Sequence, residues 1–335
     1  MGSQDGGTVG KRLSRRDMTG CRPGPVRDAR GPAGGRALLA GVMVPLVTPM
    51  DRPGQPSAPA ADALLGALAA AGARSLMLFG SNGEGPLLPT AQLGDFAAGV
   101  AERWRELTDG GPVLVNVTAP GTAEALARAE AVLPAGPDAL VLSPPIYFHH
   151  RHDEIVTHYA AMAGLGVPVV AYNAPRYSNP LTPALLDEVT ELAHLVGIKD
   201  SSGDLALFGH AVAAARRRDD FGVSQGAEGQ ALDALRLGAD GVVPGVANLA
   251  PGAAVELFRA HREGRDDDAR RAQQLLDKVL ALHTVRPGVP AVKAVLAARG
   301  LCPPHIAAPF TPCSDEERRA LLDLLAPLDA HLIRA

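Results

Sequence analysis

From Gly41 onward the chain alternates between short apolar runs and longer stretches whose apolar residues recur every three or four positions. The runs are GVMVPLV (41–47), SLMLF (75–79), VLVNV (113–117), DALVLS (138–143), PVVAY (168–172), LVGIK (195–199), FGVSQ (221–225) and DGVVP (240–244). Most are rich in Val and Leu and apolar on both parities, the pattern of strands covered on both faces. Between them, segments such as AADALLGALAAAG (60–72) and TAEALARAEAVL (122–133) read as helices. Eight strands alternating with helices predict an α/β fold, a (β/α)8 barrel of the TIM type. The competing arrangement is a doubly wound open sheet. It wants a phosphate-binding glycine loop after the first strand, and VTPMDRPGQ (47–55) supplies none. Three more helical stretches, near 252–283, 289–299 and 314–332, predict a C-terminal helical extension. The expected organisation is a tail over 1–37, a barrel over 38–263 and the extension over 264–335.

Composition adds limits. A chain of 335 residues that is 47% hydrophobic and 20% charged can bury a large core. None of its apolar runs approaches the ~20 residues of a membrane span, so no membrane partner is expected. The first 36 residues hold eight Lys/Arg against three Asp, with abundant Gly and Pro, and read as a disordered basic tail. That +5 against −4 overall leaves the remainder acidic, at −9. The tail has no aromatic residue to stack on bases, so nucleic acid is not an expected partner either. Its SRRDM is similar to a twin-arginine export signal, but no apolar stretch follows. Cys21, Cys302 and Cys313 are an odd, scattered set, which fits a reduced cytosolic protein without a disulfide framework.

The chemistry begins with a scarcity. Only Lys11, Lys199, Lys278 and Lys293 are lysines, and the other basic residues are arginines. Lys11 lies in the tail, Lys278 reads as solvated, and Lys293 sits in a helical pattern where it snorkels or pairs. Lys199 ends the sixth strand, and in a barrel the chemistry belongs at the strands' C-terminal ends. Parity puts Leu195, Gly197 and Lys199 on one face and Val196 and Ile198 on the other, with Gly197 leaving room beneath the lysine. On the fifth strand Val170 and Tyr172 share a face in the same way. A lysine and a tyrosine then point into one low-dielectric pocket. A neutral amine there can form an imine with a ketone, an electron sink for making or breaking the adjacent C–C bond, with the tyrosine moving protons. Geometry alone leaves two other roles open, phosphate binding and pairing with a carboxylate.

At these residues the chain resembles the dihydrodipicolinate synthase/N-acetylneuraminate lyase family of pyruvate-handling class I aldolases. The landmarks run in order from Gly41 to Leu332: VPLVTPM, GSNGEGPLLPT, SPPIYF, YNAP, GIKDSSGDL, GADGVVPGVANLAP and VPAVKAVLAARGL. The resemblance implies that Lys199 is the Schiff-base lysine and Tyr172 the acid/base, with Ser81 relaying protons to it. Ser81 and Asn82 would hold the pyruvyl carboxylate. Tyr147 is the candidate for a second catalytic tyrosine, which in many members reaches into a neighbouring subunit's site. Gly226, Gly245 and Val246 would line the mouth. No cofactor is implied; the partners are pyruvate or another 2-oxo acid, an aldehyde, and further copies of the chain as a dimer or tetramer.

The departures concern the aldehyde. Synthases of dihydrodipicolinate usually carry an arginine two residues after the Pro of Y-N-x-P, followed by Thr-Gly. Here YNAPRYSNP places Arg176 one position early, as the candidate distal-carboxylate group. GSNGE is similar to members acting on 4-hydroxy-2-oxoglutarate, while 2-keto-3-deoxy sugar acids and N-acetylneuraminate stay open, as does a catalytically idle paralogue that binds a 2-oxo acid. IAAPFTP (306–312) also lacks the arginine often found before that Pro. His149, His150, His152 and His158 follow the fourth strand with no acidic partner at a ligand spacing, so no metal is expected. Glu84 reads as a hydrogen-bonding residue of its loop.

Overall fold

The computed structural model describes Gly2 and residues 34–335. Eight parallel strands close into a barrel: β1 (Gly41–Pro45), β2 (Ser75–Leu78), β3 (Val113–Asn116), β4 (Ala139–Leu142), β5 (Val169–Asn173), β6 (Leu195–Asp200), β7 (Gly222–Gln225) and β8 (Gly241–Val242). A helix follows each: α1 (Asp62–Ala70), α2 (Leu93–Thr108), α3 (Thr122–Val132), α4 (His152–Ala160), α5 (Pro183–Thr190), α6 (Leu205–Ala215), α7 (Ala231–Leu237) and α8 (Pro251–Arg262). This is the TIM barrel that the alternation predicts. The C-terminal extension is α9 (Asp266–Leu280), α10 (Leu282–Val285), α11 (Val289–Ala298) and α12 (Asp315–Leu325).

The apolar runs partition by parity into two layers. Met43, Met77, Leu114, Val141, Val170 and Tyr172 point into the barrel. Their neighbours Val44, Leu76, Val115, Leu140 and Ala171 face the helices. Strands buried on both faces are why the runs show no polar alternation.

In four places the structure departs from the sequence reading or adds to it. The helical stretch near 252–283 is broken: α8 ends at Arg262, Gly264 turns at φ +70°, and α9 packs along α8. VTPMDRPGQ holds a short antiparallel hairpin, Met50–Arg52 with Gln55–Pro56, closed over Pro53-Gly54 with Gly54 at φ +71°. The tail expected over 1–37 falls outside the described residues, except for Gly2 and 34–37. The latter are not tail, because Gly34–Leu39 is a helix across the N-terminal mouth of the barrel. A Cβ built on Gly35 would lie 1.7 Å from the Val196 carbonyl oxygen, so only glycine lets this helix seat, and Leu38 and Leu39 then join the inner core.

The fourth change is on β6. Val169 pairs with Leu195, but Val170 pairs with Gly197, so Val196 is an extra residue in the strand. The bulge turns Leu195 to the helical layer and Val196 into the barrel, the reverse of simple alternation. Beyond it the parity of Gly197 and Lys199 holds. The space over Gly197 is not left free beneath the lysine: Leu39 Cδ1 is 2.5 Å from a Cβ built there. Among the described residues no single helix is long and apolar enough to cross a membrane.

Candidate active site

The stretch after β6 is laid out residue by residue around the barrel mouth. Lys199 is buried, in register with Tyr172 on β5. Its Nζ lies 4.2 Å from the centroid of the Tyr172 ring and 3.9 Å from Met77 Sδ. Among the described residues no carboxylate oxygen comes within 4.0 Å of it. Asp200 turns away and accepts from Asn173 Nδ2 at 2.6 Å and from the Ser202 hydroxyl at 2.8 Å. Asn173 in turn accepts from the Leu181 N–H at 3.0 Å, so Y-N-x-P and the lysine strand are tied together beside the pocket. Burial pushes the Asp200 carboxyl up, against these hydrogen bonds. Gly203, at φ +77°, makes the turn, and Asp204 caps α6 by accepting from the N–H groups of Ala206 and Leu207.

Tyr172 is the other half of the pair. Burial raises its phenol, but the Lys199 charge and hydrogen bonds with Ser81, Ser201 and Lys199 outweigh that and hold it below the ordinary tyrosine value. The expected hydroxyl relay, Ser81, is therefore on the phenol. Ser201 is a second hydroxyl that the sequence reading passed over, although it stands two residues beyond the lysine. A Cβ on Gly226 would lie 2.2 Å from Ser201 Oγ and 2.8 Å from Lys199 Cε, so that glycine is a wall of the lysine pocket.

The loop after β2 is compact. Phe79 and Glu84 both take left-handed conformations, at φ 57° and 58°. A Cβ on Gly85 would lie 1.9 Å from the Phe79 carbonyl oxygen, which makes that glycine obligatory. Glu84 does more than bond within its loop. One carboxylate oxygen sits 2.5 Å from Lys293 Nζ on α11, and the other accepts from the Ala307 N–H at 2.6 Å. Lys293 also donates to the His305 carbonyl at 2.7 Å. The helical lysine thus pairs, fully buried, and links the extension to the loop that carries Ser81 and Asn82.

The mouth holds one more group that sequence reasoning missed, Glu228. Its Oε2 accepts from the Val246 N–H at 2.7 Å, and the Gly245 N–H turns to the same carboxyl. The peptide groups of Gly245 and Val246, expected to line a substrate site, are therefore engaged by a side chain. A Cβ on Gly245 would lie 2.8 Å from Asn82 Nδ2 and 3.0 Å from Glu228 Oε1, so the amide, the carboxyl and the glycine meet at one point. Desolvation pushes the Glu228 carboxyl up to about 7, against the two N–H groups and the Lys199 charge. Glu228 is half-buried.

Two expected residues stand apart from Lys199. Tyr147 is 86% exposed at φ 81°, edge-on to the exposed Phe148. Arg176 is exposed too, and its charge acts on His283 in α10, the second helix of the extension. The histidines also disperse. His152 meets Glu188 at 2.6 Å and His150 meets Glu154 at 3.5 Å, while His158 is buried against Thr122 at 2.9 Å.

A closed barrel, a buried strand-end lysine facing a tyrosine, and a glycine-rich polar loop beside them define a lyase-type (β/α)8 site. The dihydrodipicolinate synthetase family profile matches residues 38–327, and the chain belongs to that family. It is 31% identical over 303 residues to an uncharacterized DapA-like lyase of Halobacterium salinarum, covering 90% of this chain and 98% of that one. It is also 31% identical over 286 residues to a 4-hydroxy-tetrahydrodipicolinate synthase of Salinibacter ruber, with 83% and 91% covered. Among solved structures, dihydrodipicolinate synthase of Bacteroides thetaiotaomicron superposes with a TM-score of 0.80 at 27% identity, covering 86% of this chain and 98% of that one. A prophage protein of Escherichia coli K12 from the dihydrodipicolinic acid synthase family, in complex with pyruvate, gives 0.79 at 25%, with 87% and 99% covered. The chain is accordingly an aldolase/lyase of this family.

Proposed function

We propose that the protein is a Schiff-base aldolase that joins pyruvate to an aldehyde, or cleaves the corresponding 4-hydroxy-2-oxo acid. The observation that carries the reading is the buried Lys199 Nζ set 4.2 Å from the centroid of the Tyr172 ring, with Ser81 and Ser201 on the phenol. Lys199 Nζ adds to C2 of pyruvate, and the ketone oxygen leaves as water. Loss of a C3 proton gives the enamine, which adds to the aldehyde carbon while the aldehyde oxygen takes up a proton. Hydrolysis of the imine then frees Lys199. Tyr172 is the group placed to carry these protons, because its pKa is held below that of an ordinary tyrosine. Ser81 and Asn82 would hold the pyruvyl carboxylate. The reading needs no metal or organic cofactor, and with it we take the enzyme to be cytoplasmic and a dimer or tetramer.

Borohydride reduction in the presence of pyruvate tests it: a pyruvyl adduct is expected on Lys199. Absence of the adduct, or full activity in a Lys199→Arg variant, overturns the mechanism. The second reading, a 4-hydroxy-tetrahydrodipicolinate synthase acting on pyruvate and aspartate semialdehyde, is supported by the Salinibacter relative. It would use Arg176 for the distal carboxylate. An Arg176→Ala variant that handles every acidic acceptor normally removes that role.

A further inference from the structure

Met77, on β2, brings a sulfur to the catalytic amine. Its Sδ lies 3.9 Å from Lys199 Nζ, and among the described residues it is the one sulfur in reach of that nitrogen. The side chain is 1% exposed and belongs to the inner cluster of the barrel. Its methyl is seated by the loop that follows: a Cβ built on Gly80 would lie 2.3 Å from Met77 Cε, so the first glycine of GSNGEG makes room for the thioether. The sulfur is thus fixed between the amine and the loop that carries Ser81 and Asn82. A thioether is a weak hydrogen-bond acceptor and leaves the lone pair of a neighbouring amine free to react. Ser81, Asn82, Ser201 and Gly226 around the mouth are half-buried, and pyruvate passes this mouth to reach Nζ. A small oxidant on the same route arrives at Sδ. The described thiols compete poorly for it, because thiol oxidation goes through the thiolate. Burial pushes the Cys302 thiol up to about 11 and raises that of Cys313. A thioether has no proton to lose.

We propose that Met77 is an oxidation site that silences the enzyme: a peroxide entering by the substrate mouth converts the thioether to its sulfoxide, and the new oxygen captures the Lys199 amine. The step balances as a two-electron oxidation of sulfur. The O–O bond of hydrogen peroxide breaks, one oxygen bonds to Sδ, and the other leaves as water with both protons. An oxygen on the side of the sulfur that faces Nζ falls within hydrogen-bond reach across the 3.9 Å gap. It accepts from the ammonium in a charge-assisted bond and withholds the lone pair that attacks pyruvate. The inference rests on the aldolase reading, in which that amine is the nucleophile.

Hydrogen peroxide is the probe. The wild-type enzyme is exposed to graded amounts, freed of peroxide, which would otherwise consume pyruvate, and then trapped with pyruvate and borohydride. Peptide mass spectrometry reads the Lys199 adduct and the oxygen gained on Met77 together. The rate of adduct formation is expected to fall by about tenfold or more as Met77 gains one oxygen, and dithiothreitol, which reverses thiol oxidation, is expected not to restore it. Met77→Leu, a swap close in volume, is expected to form its adduct at the same rate before and after exposure. Enzyme that already carries the reduced pyruvyl adduct, which fills the mouth, is expected to keep Met77 unoxidised. Adduct formation that persists with Met77 oxidised, or is lost with Met77 intact, overturns the inference. So does a Met77 that resists peroxide, or one that oxidises as fast in the trapped enzyme as in the free one. These wild-type measurements decide the matter even if the variant fails to fold, and a Met77→Leu enzyme as sensitive as the wild type overturns the inference too. An untreated enzyme that gives no adduct defeats the aldolase reading instead.

Discussion

Lys199 and Tyr172 were legible in the sequence because two independent signals met on them. One was the scarcity of lysine; the other was strand parity, which survives past the β6 bulge because the extra residue, Val196, precedes both Gly197 and Lys199. Glu228 and Ser201 were not legible. Glu228 takes its role from the Val246 N–H, eighteen residues on, and no periodicity places a loop glutamate against a turn from another strand. The pocket wall gives a sharp test at this scale. A Cβ on Gly226 would meet Lys199 Cε at 2.8 Å and Ser201 Oγ at 2.2 Å, so Gly226→Ala displaces the lysine without touching the fold's core. We expect kcat to fall by about a hundredfold while the unfolding midpoint shifts little. Unchanged kcat would place the pocket elsewhere. Tyr172→Phe is expected to lose a comparable factor in turnover, within the usual range for general acid–base groups, and still yield the borohydride adduct. If it loses the adduct too, the phenol is needed for imine formation itself.

Between elements, the extension reaches the site through one buried ion pair. Glu84 and Lys293 are both fully buried, and the pair is completed by the Ala307 N–H and the His305 carbonyl. Removing one partner strands the other charge in a dry environment. Lys293→Met is expected to lower stability by roughly 3–5 kcal/mol, and the double change Glu84→Gln with Lys293→Met to recover most of it. Urea unfolding measures both, and an additive double mutant would mean that the two side chains do not act as a pair. A second join is His158 on α4, bonded to Thr122 at the start of α3. Burial, opposed by a Ser143 backbone contact and aided by His150, depresses this imidazole from 6.5 to about 4. The unfolded chain binds that proton first as pH falls, so the stability held above pH 6.5 is lost progressively towards pH 4. The linkage is worth roughly 3 kcal/mol, and a His158→Asn variant should flatten the stability curve over that window. A slope unchanged in the variant would assign the acid lability to other groups.

Seen whole, the molecule leaves one rim apolar. Tyr147, Phe148 and Tyr177 are 86%, 63% and 56% exposed, and the loops bearing them are pinned together by Asn179, which donates to the Pro145 and Phe148 carbonyls. Tyr147 is the centre of a tight turn, at φ 81°, closed by the Phe148 N–H donating to the Ile146 carbonyl at 3.1 Å, and this turn holds its ring out in solvent against Phe148. Under the proposed dimeric assembly a second copy would cover this rim, and a two-fold arrangement would then offer each Tyr147 to the other subunit's mouth. The sequence could nominate Tyr147 but not place it: within one chain its ring meets only the neighbouring Phe148 ring, edge-on, among the described residues. Mixing inactive variants decides the matter. In a one-to-one mixture of Lys199→Arg and Tyr147→Phe chains, half of the reassembled dimers are hybrid, and one of the two sites in each hybrid combines an intact lysine with a partner's intact tyrosine. Activity should return to about a quarter of the wild-type level if Tyr147 acts in trans. A mixture that exchanges subunits and recovers nothing would remove Tyr147 from the neighbouring site and leave its turn to a role within its own subunit.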